Sequence, residues 1–170
     1  MKILVADIPE EGLDLELEET FEPGPFRLLS PVNASLHVDK VSSEILVRGT
    51  LKTLVELQCS RCLKQFPLEV DLTVDVVYHP LEDLRGEERH EIKDDELDMG
   101  FYRGDEIDVQ ELLREQVILS IPIKPLCTES CKGICPQCGA DLNTDTCTCD
   151  RKGSDPRLAG LKKLMDTGKE

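Results

Sequence analysis

An α+β fold is predicted: an antiparallel, barrel-like β-sheet with one packed helix, then a cysteine-rich segment and a C-terminal helix. Three observations predict it. Long stretches alternate apolar and acidic residues with a period of two, which is strand spacing. One stretch, opening at Asp108, has helical spacing behind a capping signal. Eight cysteines fall into four close pairs, and six of them crowd between Cys127 and Cys149.

The elements follow in chain order. Residues 2–8 are a short apolar run, read as a strand. Leu13, Leu15 and Leu17 then alternate with Asp14, Glu16 and Glu18, which predicts a half-buried strand with an acidic face. Glu22-Pro23-Gly24-Pro25 is a turn. Residues 34–41 and 44–58 read as strands joined near Ser42-Ser43, with Gly49 a bulge or bend in the second. Leu51, Thr53, Val55 and Leu57 share one of its faces. From Phe66 to Tyr78, the residues Leu68, Val70, Leu72, Val74 and Val76 alternate with Glu69, Asp71, Thr73 and Asp75. Cys59-Ser60-Arg61-Cys62 therefore sits at a hairpin tip between two long antiparallel strands.

Residues 82–98 carry nine acids against three Lys or Arg, which predicts a solvated, mobile loop. Asp108 is the N-cap of a helix over 108–120, and Glu111 completes a capping box. Val109, Leu112, Leu113 and Val117 mark its apolar face, with Gln116 and Ser120 near it. Pro122 ends it. Asp155-Pro156 opens a C-terminal helix with Leu158, Leu161, Leu164 and Met165 as its stripe. Two units are expected: a sheet domain over 1–123, and the cysteine segment with its helix over 124–170.

Composition bounds the function. Hydrophobic residues are 39% and aromatics 4%, with no Trp, a thin core that bound metal would help to hold. A net charge of −15 opposes DNA, bulk phosphate and anionic membranes, and favours a basic protein partner. No apolar run approaches a membrane span, and the N-terminus turns acidic at once, so a cytoplasmic protein is expected. In a reducing compartment, clustered cysteines read as metal ligands before disulfides.

All eight cysteines are candidate ligands: Cys59, Cys62, Cys127, Cys131, Cys135, Cys138, Cys147 and Cys149. Four thiolates at tetrahedral spacing make a closed, structural zinc site with no place for water, so two zinc ions are expected. Cys135-Pro136-Gln137-Cys138-Gly139 has the form of a zinc knuckle. Chain economy favours Cys135, Cys138, Cys147 and Cys149 on one ion, leaving Cys59 and Cys62 to meet Cys127 and Cys131. The interleaved choice, Cys59 and Cys62 with Cys135 and Cys138, stays open. Cys59-x-x-Cys62 also fits a redox motif, but it lies between two strands rather than at a helix N-terminus, which argues against a thiol oxidoreductase. Arg61 reads as a counter-charge to the thiolates. No phosphate loop or nucleophile elbow is present, and no enzyme is expected.

The Cys59-x-Arg61-Cys62 tip, the acidic loop, the helix ID-x-x-E-x-x-x-E from Ile107, the PxxPLC stretch and the ending DPRLAGLKKL together resemble the YceD family. Its members are described as large ribosomal RNA subunit accumulation proteins. The likeness runs from about residue 10 to 165. It implies a role in ribosome biogenesis, in accumulation of large-subunit (23S) ribosomal RNA, and a bacterial or organellar origin. Two modes of action follow. One is a chaperone for a basic large-subunit ribosomal protein, or a pre-ribosomal particle presenting one. The other is direct ribosomal RNA binding through the basic C-terminal tail and the zinc knuckle.

Overall fold

β5 (Glu44–Gln58) and β6 (Gln65–Pro80) dominate the architecture. They run 15 and 16 residues, about 50 Å at ~3.3 Å per residue. Their antiparallel register holds without a break from Ile45–Tyr78 to Gln58–Gln65. The computed structural model describes residues 1–22, 24, 26–81 and 99–149. The acidic loop 82–98 and the C-terminal helix read from the sequence lie outside these residues, as do two prolines of the 22–25 turn.

The other elements are β1 (Lys2–Leu4), β2 (Leu13–Glu19), β3 (Arg27–Leu28), β4 (Val32–Val41), β7 (Met99–Tyr102), β8 (Glu106–Asp108) and α1 (Val109–Ser120). The main sheet has the order β2-β4-β5-β6-β7, with β3 also pairing β5. β1 and β8 form a separate two-stranded ribbon. No ladder joins the outer strands β2 and β7, so the sheet stays open and the barrel-like expectation is corrected. Closure would need those edges to pair. The sheet is also not wholly antiparallel, because β7 runs parallel to β6.

Period-two patterning places the core. Val32, Ala34, Leu36 and Val38 of β4, Ile45, Val47, Leu51 and Val55 of β5, and Val70 and Val74 of β6 are all buried. They share one core with Val109, Leu112, Leu113 and Val117 of α1. Asp108 caps this helix, accepting from the Gln110 and Glu111 amides at 3.1 and 3.2 Å. The return arm of a capping box is replaced. The Glu111 carboxylate turns instead to Arg114, 3.2 Å away. The first strand is shorter than its apolar run. After Leu4 the chain enters a 3₁₀ turn, Val5–Asp7, while the Val5 N–H still bonds Asp105 O, next along the β8 side, at 2.8 Å. Among the described residues, no helix is long and apolar enough to cross a membrane.

The opposite sheet face is solvated and ionic. Lys52 reaches Asp71 at 2.8 Å and Arg48 reaches Asp75 at 3.4 Å, both across β5–β6. On the β2 side, His37 holds Asp14 at 2.6 Å and Asp39 at 3.1 Å. The Asp14 hydrogen bond raises the His37 pKa above its ordinary value.

Gly49 makes no bulge. It pairs in register with Leu36 on one side and Val74 on the other. Its missing Cβ allows a close approach: a Cβ there would lie 1.9 Å from the Ser35 carbonyl oxygen. Backbone cannot yield as a side-chain tip can. Gly49→Ala is expected to cost about 2–3 kcal/mol of stability, read as a lower denaturant midpoint at unchanged slope.

Candidate metal centre

The β5–β6 turn is itself the first half of a site. Cys59 N–H donates to Lys64 O at 2.9 Å, and Leu63 N–H to Cys59 O at 3.0 Å. Leu63 takes φ 60°. Around Cys135 the same turn recurs: Cys135 N–H donates to Ala140 O and Gly139 N–H to Cys135 O, both at 2.8 Å, with Gly139 at φ 73°. Cys59-Ser-Arg-Cys62-Leu-Lys and Cys135-Pro-Gln-Cys138-Gly-Ala are thus one local structure used twice. The left-handed residue after the second cysteine turns the next amide, that of Lys64 or Ala140, back toward the Cys62 or Cys138 sulfur. The Cys62 and Arg61 amides point at Cys59 Sγ, and the Cys138 and Gln137 amides at Cys135 Sγ.

Two groups of four sulfurs result. Cys59, Cys62, Cys127 and Cys131 form an inner group, and Cys135, Cys138, Cys147 and Cys149 an outer one. Within each, the sulfurs all lie within 4.8 Å of one another. The local grouping is the one found, and the interleaved one is absent. Neighbouring sulfurs are 3.8 Å (Cys59–Cys131) and 3.6 Å (Cys62–Cys127) apart in the inner group. In the outer group they are 3.5 Å (Cys138–Cys147) and 3.4 Å (Cys135–Cys147) apart. Disulfide sulfurs would stand at ~2.05 Å. Four sulfurs ~2.3 Å from a common ion would stand about 3.8 Å apart. The donor set and its spacing fit a tetrahedral metal ion in each group.

Ionisation is uneven within each group. The amide of Cys127, then those of Cys62 and Arg61, pull the Cys59 pKa down to about 6. Cys62 goes to about 12: the Lys64 amide lowers it, but burial and the sulfurs of Cys59, Cys127 and Cys131 outweigh that donor. In the outer group, the Cys138 and Gln137 amides bring Cys135 down to about 6, and the sulfurs of Cys147 and Cys138 push Cys149 up to about 12. Cys59 in the inner group, and Cys135 with Cys147 in the outer, are favoured as thiolates, while Cys62, Cys127, Cys138 and Cys149 are penalised. A cation at the centre would remove that penalty.

The two groups differ in surroundings. Cys59, Cys62 and Cys131 are buried, and Phe66, Leu126 and Ile134 pack around them. Outside, Cys135 is buried but Cys138 is exposed, with Cys147 and Cys149 between. Arg61 does more than balance charge. Its Nη1 donates to the Cys131 and Glu129 carbonyls at 2.8 and 3.2 Å, tying the hairpin tip to the loop that carries Cys131.

Three residues of this region escape sequence reasoning. Lys64 Nζ lies 2.5 Å from Asp141 Oδ2. That contact, with the Asn143 amide, brings the Asp141 carboxyl down to about 2. Asn143 lies in the outer loop yet reaches Cys131 Sγ at 3.5 Å. No local spacing signals such long-range contacts. Leu63 was legible in principle, by laying the two knuckles side by side.

The family model described as "Large ribosomal RNA subunit accumulation protein YceD" matches residues 47–165, from the middle of β5 through both cysteine groups. The chain belongs to the YceD family. Similar proteins include Bacillus subtilis YlbN, 29% identical over 142 residues, covering 82% of this chain and 77% of that one. The Arabidopsis thaliana chloroplastic protein named large ribosomal RNA subunit accumulation protein YCED homolog 1 is 28% identical over 166 residues, 81% of this chain and 49% of its own length. Mycobacterium tuberculosis Rv2926c is 28% identical over 134 residues, 79% of this chain and 62% of its own. The chain thus spans most of the Bacillus relative but about half of the plant YceD protein. No solved structure matches it.

The two knuckles of this YceD chain make a matched test. A Cβ at Gly139 would meet nothing within 4 Å, so Gly139→Ala tests the backbone alone. It should cost about 1 kcal/mol, the strain of a left-handed non-glycine residue. Leu63→Gly relieves the same strain but loosens the unfolded chain by a similar amount. Chemical denaturation should therefore find Leu63→Gly near neutral.

Proposed function

We propose that this chain is a non-enzymatic factor in the accumulation of large-subunit ribosomal RNA. It acts in the cytoplasm by holding a basic ribosomal protein, or an assembling particle that presents one. The observation that carries this reading is the solvated face of the sheet. Its register gathers Asp14, Glu16 and Glu18 of β2, Asp39 of β4, Glu44 and Glu56 of β5, and Glu69, Asp71 and Asp75 of β6. Arg48 and Lys52 are already bound to Asp75 and Asp71. The face is open and acidic, in a chain of net charge −15. It repels RNA, DNA and anionic membranes, and attracts the cationic surfaces by which ribosomal proteins hold RNA. The printed name of the Arabidopsis relative supplies the process.

The cysteine groups have a structural task in this reading. Each holds one zinc ion, with four thiolates and no open position for a reacting water. The inner ion fastens the loop after α1 to the hairpin tip. Protein purified without added metal should carry two zinc ions per chain by elemental analysis. A content near zero in folded protein removes the metal reading, and a content near one removes one site.

The rival reading is direct RNA binding by residues 151–170, whose six bases against three acids make the one basic stretch of the chain. Charge reversal separates the two. Capture of basic ribosomal proteins should survive ribonuclease and weaken as salt rises. Glu18→Lys with Glu69→Lys should weaken it, as should Asp94→Lys with Asp95→Lys and Glu96→Lys, with metal content unchanged. Lys162→Glu with Lys163→Glu should do little. If that last pair abolishes association while the acid reversals are silent, the tail is the contact and the protein-holding reading fails.

A further inference from the structure

The loop between Cys138 and Cys147 closes the outer sulfur group, yet it also reaches residues beside the inner one and Cys131 itself. Leu142 N–H donates to Gly133 O at 2.9 Å, and Asp141 bridges Ile134. Asp141 Oδ2 meets Lys64, the second residue after Cys62. Its Oδ1 accepts from the Asn143 backbone at 2.9 Å and from Asn143 Nδ2 at 2.7 Å. Asn143 is thereby held with its side chain turned inward. Its Oδ1 accepts from the Lys132 amide at 2.8 Å, beside Cys131. Its Nδ2 reaches Cys131 Sγ. Among the described residues, this is the one side-chain N–H that reaches a cysteine sulfur.

Cys131 is 3% exposed. A buried thiolate gains from every N–H donor, because donors disperse charge that water cannot reach. The inner group thus takes a charge-stabilising donor from a loop whose two ends are ligands of the outer group. We propose that the two metal sites are linked. Metal in the outer site closes the 139–146 loop, the closed loop sets Asn143 against Cys131, and this donor tightens metal in the inner site. Asn143 is a positioning residue for Cys131, not itself a ligand. The proposal rests on the zinc reading above, and outward-to-inward order follows from burial: the exposed outer site exchanges first.

The test uses the zinc-loaded full chain, a chromogenic chelator, and ¹¹³Cd NMR of the cadmium-substituted protein. Two zinc ions should leave in two phases, the outer one faster. Asn143→Ala should speed release of the inner ion about tenfold or more and move the inner ¹¹³Cd resonance. Asn143→Asp keeps the acceptor for the Lys132 amide but offers no donor to sulfur. It also sets a carboxylate against Asp141 and the Cys131 sulfur, so it should speed release at least as much as Asn143→Ala. Cys147→Ser, which breaks the outer site, should speed inner release in the otherwise native chain but add less in the Asn143→Ala background. Two bound ions with unchanged inner release and an unmoved resonance in both Asn143 variants would overturn the linkage alone. So would effects of Cys147→Ser and Asn143→Ala that simply multiply. Absence of bound metal from the folded native chain would overturn the metal reading and the linkage together.

Discussion

Everything in this fold leans on the register of the β5–β6 hairpin. Its ladder sets which residues of two long strands face the core and which face water. A slip of one residue would turn Val70 and Val74 outward and Asp71 and Asp75 inward. The turn that sets this register is the Cys59–Lys64 knuckle, in which Cys59 N–H donates to Lys64 O and Cys59 O accepts from Leu63 N–H. Two further contacts reach the tip from the chain after α1: Ser60 N–H donates to Pro125 O at 2.8 Å, and Ile134 N–H to Arg61 O at 3.2 Å. The strand pairing and the cysteine chemistry are therefore one constraint. The sulfurs gather where the hairpin ends, and the hairpin's end is shaped by the turn that gathers them.

Burial then separates the two sulfur groups into different roles. The inner group joins segments 65 or more residues apart in sequence, Cys62 with Cys127. A metal ion held there would fix tertiary structure in the way a buried cross-link does. Phe66, Leu126 and Ile134 keep water from it. The outer group closes a loop within one short stretch, from Cys135 to Cys149. It is more open to solvent and shapes local structure, including the loop that carries Asp141 and Asn143. A chain with 4% aromatic residues and no Trp would gain much from such metal staples, since its side chains fill little volume.

The sheet's two faces show the other half of the design. One is Val- and Leu-lined and covered by α1. The other carries carboxylates with few cations among them and is solvated. An open, acidic, half-covered sheet is poorly suited to bury phosphate and well suited to meet a cationic surface. The family to which the chain belongs is described by large-subunit ribosomal RNA accumulation.

Much of this was legible in the residues themselves. Alternation in Leu13–Glu18 and Leu68–Val76 revealed strands and their acidic face, because a pleated strand shows every second side chain to water. Asp108 marked the helix start, because a free carboxylate before a helix finds unpaired amides. Four close cysteine pairs marked two four-sulfur groups, because a knuckle is local. What needed the tertiary structure was whatever depends on distant parts of the chain meeting. The apolar run of β1 was legible, but its pairing with β8 across a hundred residues was not. β7 lies parallel to β6 at an edge, and the sheet stays open because its outer strands β2 and β7 do not pair. The absent Cβ of Gly49 matters only because the Ser35 carbonyl arrives there from another strand. Lys64, Asp141 and Asn143 meet only once two knuckles, far apart in sequence, are folded side by side. Local steric and solvation preferences are written residue by residue, and contacts between distant segments exist only after the hairpin, the helix and the cysteine loops have been placed.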